Sequence, residues 1–106
     1  MLEKTIVTAI MRYLKTIPCC FAWKTHGGIY TTSGIPDIVC CINGYFVAFE
    51  VKPPKGRLTK LQEMTIRRIN EACGIAHRVT SVADVQAVLE AVNVFGTTTA
   101  GKEAVV

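Results

Sequence analysis

The pair Asn43-Gly44 fixes more of this chain than any other two residues. It interrupts the run "PDIVCCINGYFVAFEVK" (Pro36 to Lys52) between two apolar stretches, and a type I′ hairpin turn needs positive φ at both central residues, which asparagine and glycine tolerate best. With those two as the loop, Ile42 faces Tyr45, and counting outward pairs Val39 with Ala48 and Asp37 with Glu50. Two carboxylates therefore meet across the ribbon. Directly opposed side chains have Cβ atoms about 4.5–5.5 Å apart, and like charges placed there destabilise a sheet.

The second strand of this hairpin, "FVAFEVK", sharpens the problem. Alternation puts Tyr45, Val47, Phe49 and Val51 on one face and Phe46, Ala48, Glu50 and Lys52 on the other. One face is apolar throughout. The other starts apolar and ends charged, and charged side chains are rarely buried unless they are paired, hydrogen-bonded or bound to metal.

Around the hairpin the pattern is that of a small α/β domain. Ile6, Ile10, Tyr13 and Ile17 recur at helical spacing from Glu3 to about Lys15, with Pro18 as the stop and Glu3 on the inward stripe. Cys19 to Lys24 reads as a strand, and "THGGIYTTSG" (Thr25 to Gly34) as a glycine- and hydroxyl-rich loop. After the hairpin comes the basic turn "PPKGRLTK" (Pro53 to Lys60) and a helix from Thr59 to about Cys73. Its expected buried stripe is Leu61, Thr65, Ile69 and Ala72, with Gly74 as its C-terminal stop. Ile75 to Val79 then reads as a strand, and Ser81 caps a last helix through about Val92. The expected organisation is one domain over residues 1–94 and a flexible tail over 95–106, Phe95 to Val106.

At 106 residues the chain can bury roughly two-thirds of its unfolded surface, enough for a real core. The net charge of +4 weakly favours an anionic partner. Cys19, Cys20, Cys40, Cys41 and Cys73 form no C-x-x-C and are odd in number, so neither a disulfide framework nor a zinc site is expected. Buried, reduced thiols are the expectation. His26 and His77 have no metal-ligand spacing either. Glu3, Lys4, Arg12 and Lys15 interrupt any signal peptide or membrane span, which leaves a cytoplasmic protein, in a bacterium or a phage-infected cell, as the expectation.

The simplest reason to oppose Asp37 and Glu50 is a hard divalent cation, since carboxylate oxygens are what Mg²⁺ prefers. The Val51 carbonyl is a candidate third oxygen. Mg²⁺ keeps several waters and is commonly completed by substrate phosphate, so such a site suits phosphodiester chemistry. Lys52, on the same face, is placed to hold the attacking water or to offset charge on the phosphate.

The residues "PD" at Pro36-Asp37 and "EVK" at Glu50 to Lys52 resemble the PD-(D/E)xK nuclease signature. The wider "SGIPDIVCCINGYFVAFEVKPPKGRLTKLQ" (Ser33 to Gln62) resembles its virus-type replication-repair branch, VRR-NUC, in the small stand-alone form. The resemblance implies an αβββαβ core, here followed by a C-terminal helix. It implies Asp37, Glu50 and Lys52 as the catalytic set, with the two carboxylates and Val51 on the metal, Mg²⁺ or in its place Mn²⁺. Glu3 resembles the acidic residue that the family brings to the site from its first helix, and Gln62 its supporting glutamine. The implied activity is a metal-dependent DNA endonuclease, homodimeric and acting on branched DNA such as Holliday junctions, in DNA repair.

Several assignments have plainer rivals. Glu50 and Lys52 form an edge-strand ion pair in one such reading, and Glu3 a favourable anion at a helix N-terminus in another. Gln62 stands where a capping box with Thr59 would place it, and serving that role and the site together is not expected. Lys24, His26, Lys55, Arg57 and Lys60 flank the site in sequence as candidate phosphate contacts, against the reading of solvated charge; Arg67 and Arg68 are weaker candidates. At the level of function the rivals are a non-catalytic nucleic-acid-binding or assembly protein that keeps the fold, and a nuclease of flaps, single strands or RNA.

Overall fold

The computed structural model describes residues 2–25 and 33–94. Seven elements follow one another: α1 (Glu3–Leu14), β1 (Cys20–Lys24), β2 (Ile38–Ile42), β3 (Tyr45–Val51), α2 (Lys60–Glu71), β4 (Ile75–Val79) and α3 (Val82–Ala91). This is the expected αβββαβ order with a helix appended. The expected tail over 95–106 lies outside the described residues.

The four strands lie in the order β1-β2-β3-β4. β1 to β3 form an antiparallel meander, and β4 returns parallel to β3 after the α2 crossover. The hairpin has the expected register, Ile42 opposite Tyr45 and Val39 opposite Ala48. Asn43 and Gly44 take φ of 50° and 86°, as the turn demands. The Asn43 amide also donates to the Val94 carbonyl at 2.8 Å, which ties the end of the described chain to the turn.

The two faces of the sheet are covered unequally. On one, α1 and α3 close over Ile38, Cys40, Ile42, Val47, Phe49, Val51 and Val79 to make the main core. The buried stripe of α1 is Ile6, Val7, Ile10 and Leu14, whereas Tyr13 and Ile17 are only partly buried. On the other face, α2 meets Val39, Ala48 and Ala76 through Ile66 and Ile69. The expected stripe on α2 is corrected: none of its residues is fully buried, and Leu61 is 45% exposed. A helix that covers small residues on only part of a sheet face leaves its flanks in solvent.

Polar contacts compensate for that thin interface. Asn70 brackets Ala76, donating to its carbonyl at 3.1 Å and accepting from its N–H at 2.9 Å. The left-handed residue that ends α2 is Cys73, at φ 72°, rather than the expected Gly74. Gly74 is needed beside it for room, since a Cβ there would lie 2.8 Å from the Ile69 side chain. The cysteines also differ from expectation: only Cys40 is buried, while Cys19, Cys41 and Cys73 are exposed. Burial, with Cys20 alongside, pushes the Cys40 thiol up to about 12.

Candidate metal centre

The segment before β2 is anchored at both of its edges. The Thr25 N–H donates to the Asp37 carbonyl at 3.0 Å, and the Thr25 hydroxyl to the Pro36 carbonyl. Gly34, at φ 84°, lets this segment pass under α2, because a Cβ there would stand 2.6 Å from Leu61. The Asp37 side chain reaches across the ribbon, where its Oδ2 accepts from the Val51 N–H at 2.8 Å. Asp37 therefore meets Glu50 and Val51 at the end of the hairpin, as the turn register requires.

Glu50 is the buried charged side chain among the described residues, 2% exposed. Glu3, on the first turn of α1, comes to the same place from the opposite layer. Glu3, Asp37 and Glu50 each offer a carboxylate oxygen within 4.8 Å of the others. Three acids, from α1, from β3 and from the bend before β2, converge on one point. Burial foremost, then a hydrogen bond with Asp37 and the Asp37 charge, with Lys52 opposing and Glu3 adding, raise the Glu50 carboxyl to about 8. Asp37 contributes to the rise at Glu50, but desolvation leads it.

Gln62 corrects an expectation. Its Oε1 accepts from the Thr59 N–H at 2.9 Å while its own N–H donates to the Thr59 hydroxyl at 3.1 Å, a complete capping box. Its Nε2 meanwhile donates to Glu50 Oε2 at 3.3 Å. The roles are compatible because an amide has two chemically distinct ends, one for the helix cap and one for the buried carboxyl.

Of the four cations and one imidazole expected to face phosphate, Lys24 lines a cleft with Glu3 and Asp37. Lys55, Arg57 and Lys60 are exposed, on the turn after Lys52 and at the start of α2. His26 lies outside the described residues. Arg78 on β4 was not anticipated. Its guanidinium donates to the carbonyls of Pro53, Pro54 and Gly56 at 3.2, 3.1 and 2.7 Å, which secures the turn that follows Lys52. Nothing local in sequence marks such a long-range bond; only its place opposite Glu50 in the parallel register hints at it.

A mixed four-stranded sheet with helices packed on both faces places the architecture in the α/β class. More narrowly, the fold is that of VRR-NUC domains. One solved structure, a "VRR_NUC domain", superposes at TM-score 0.69 with 18% identity over 83% of this chain and 94% of its own. A second, a "VRR_NUC domain protein", gives 0.64 and 16% over 85% and 86%. No protein-family profile matches the sequence, and no curated protein matches it.

The donor set fits a hard dication. A buried carboxyl beside two more, with one amide donor from Gln62, gathers negative charge that the site's own groups only partly offset.

Proposed function

We propose that this chain is an endonuclease that hydrolyses DNA phosphodiester bonds with a divalent cation, Mg²⁺ or in its place Mn²⁺. The observation that carries this reading is the convergence of Glu3, Asp37 and Glu50 within 4.8 Å at a single sheet end. These three and the Val51 carbonyl would hold the metal, which when bound polarises the phosphoryl oxygen and makes water a nucleophile near neutral pH.

The chain's own residues do the rest. Asp37 is held in place by the Val51 N–H, so one of its oxygens is spent on positioning and the other is free to ligate. Gln62 orients Glu50 from a helix cap that is itself rigid. Lys52 lies on the Glu50 side of β3, where its ammonium offsets charge developing on the phosphate. Lys24, Lys55, Arg57, Lys60 and His26 would contact flanking phosphates. The preferred substrate is branched DNA of the Holliday-junction kind, cut by a homodimer because two strands need two sites, in the cytoplasm of a bacterial or phage-infected cell.

The test is cleavage of a labelled four-way junction and of linear duplex, each with Mg²⁺ and with EDTA. Asp37→Asn should reduce metal-dependent cleavage by about 10²–10³-fold, the scale of losing a group that acts in the transition state, and should leave junction binding in place. Cleavage that survives in Asp37→Asn refutes the assignment. Binding without any cleavage by the parent protein favours the non-catalytic reading, and equal cutting of flaps and junctions removes the branched-DNA preference.

A further inference from the structure

The cleft that opens at Glu3 and Asp37 does not end at the acidic cluster. It has a volume of ≈ 360 Å³ and is lined by Glu3, Lys4, Val7, Thr8, Lys24 and Asp37. A second cleft of ≈ 340 Å³ adjoins it, lined by Lys4, Thr5, Thr8, Ala9 and Arg12. Lys4 and Thr8 belong to both, so a single furrow runs from the acids along the outer flank of α1.

Its chemistry changes along its length. At the acid end stand Glu3 and Asp37; beyond them the ionisable side chains of the furrow are Lys4, Lys24 and Arg12, all exposed. Between the cations the floor is made of Thr5, Thr8 and Ala9, small enough for a polymer backbone to lie close. The Thr8 hydroxyl donates to the Lys4 carbonyl at 3.0 Å and so faces its own helix. Ile6 and Ile10 are buried in the core, which fixes the ridge on the domain.

Helix stability does not account for Lys4. A cation in the first turn opposes the helix dipole, whereas Glu3 there and Arg12 in the last turn favour it. On the other two helices cations are interleaved with acids or missing: α2 mixes Lys60, Glu63, Arg67, Arg68 and Glu71, and α3 has acids and no cation. At 1.5 Å per residue, Lys4 and Arg12 stand about 12 Å apart along α1. One strand of a duplex rises about 3.4 Å per phosphate along the duplex axis, so a helix aligned with that axis spans three to four phosphates over this interval.

We propose that Lys4 and Arg12 on α1, with Lys24 on β1, grip the phosphate backbone of the nucleic-acid strand that leads into the acidic cluster. This rests on the nuclease reading and adds to it a second binding surface, apart from the basic turn at Lys55 and Arg57.

The test is fluorescence anisotropy of a labelled DNA duplex in EDTA across a salt series, with steady-state cleavage in Mg²⁺ alongside. Each phosphate contact contributes about 0.9 to the slope of log K against log salt. The double variant Lys4→Gln/Arg12→Gln should therefore lose about 1.8 in slope, raise KM and keep kcat. Lys4→Arg/Arg12→Lys should recover the slope. Arg67→Gln/Arg68→Gln removes the same charge from α2 and should lose less. An unchanged slope in the α1 variant, or an equal loss in the α2 variant, overturns the α1 grip while parent cleavage leaves the nuclease reading standing. A parent protein that neither binds nor cuts overturns both.

Discussion

The two faces of the sheet are built on different principles. Under α1 and α3, long aliphatic side chains and Phe49 interlock in a continuous apolar layer. Under α2, the contact residues of the sheet are Val39, Ala48 and Ala76, and the same face ends in Glu50. Phe21, Trp23 and Phe46 alternate in step with these residues along their strands and remain exposed, Phe21 at 71%. One side carries the stability that lets the other carry chemistry: a buried carboxyl with a raised pKa costs free energy, and the apolar layer behind it offsets that cost.

The largest expected effect tests that division. Phe49→Ala, which empties a fully buried aromatic site, should destabilise the fold by about 3–5 kcal/mol. Ile69→Ala, on partly exposed α2, should cost under about 2 kcal/mol. Urea unfolding of both variants measures the contrast. Equal losses would mean that α2 is as much a part of the core as α1, and the division would fail.

The division was half legible in the sequence. Asn43-Gly44 set the register because a two-residue turn leaves no freedom in the count, and the acidic pair at Asp37 and Glu50 followed from it. Glu3 was legible as a member of the periodic stripe of α1, which brings it to the cluster, although at the helix start it is exposed rather than inward. The stripe on α2 was not, since periodicity says which side of a helix is apolar but not how much sheet lies beneath it. The left-handed Cys73 was hidden by the glycine beside it, because composition favours Gly74 for that conformation and only the coordinates show that Ile69 claims the space around Gly74. The carbonyl clamp by Arg78 depends on atoms distant in the chain and no local pattern encodes it; the Gln62 capping box was legible locally, but its simultaneous bond to Glu50 was not.

A smaller effect concerns pH. Glu50 has its folded pKa raised to about 8, above the value near 4.5 of a free carboxyl. The folded state then binds more protons than the unfolded state between those two values, and metal-free stability should be full below about 4.5 and fall as pH rises through about 8. Urea midpoints in EDTA from pH 5 to 9 should show the decline, and Mg²⁺ at the upper end should reverse part of it by replacing the proton. Glu50→Gln should flatten the profile and abolish the metal response. A parent profile that is flat over this range would remove Glu50 as the strained group of the α2 face.

The smallest effect separates the two ends of Gln62. Gln62→Ala loses both the Thr59 contact and the Glu50 contact, and should cost about 0.5–1.5 kcal/mol, the worth of a capping interaction. Glutamate serves a capping box as well as glutamine does, so Gln62→Glu should keep the helix start while it replaces the amide donor facing Glu50 with a carboxylate. A donor lost and a like charge gained both raise the proton affinity of Glu50. Two measurements follow from one substitution: helicity by circular dichroism should be that of the parent, and the pH at which metal-free stability declines should move upward. If the decline stays in place with the helix intact, Gln62 serves the cap alone, and α2 touches the acidic cluster without influencing it.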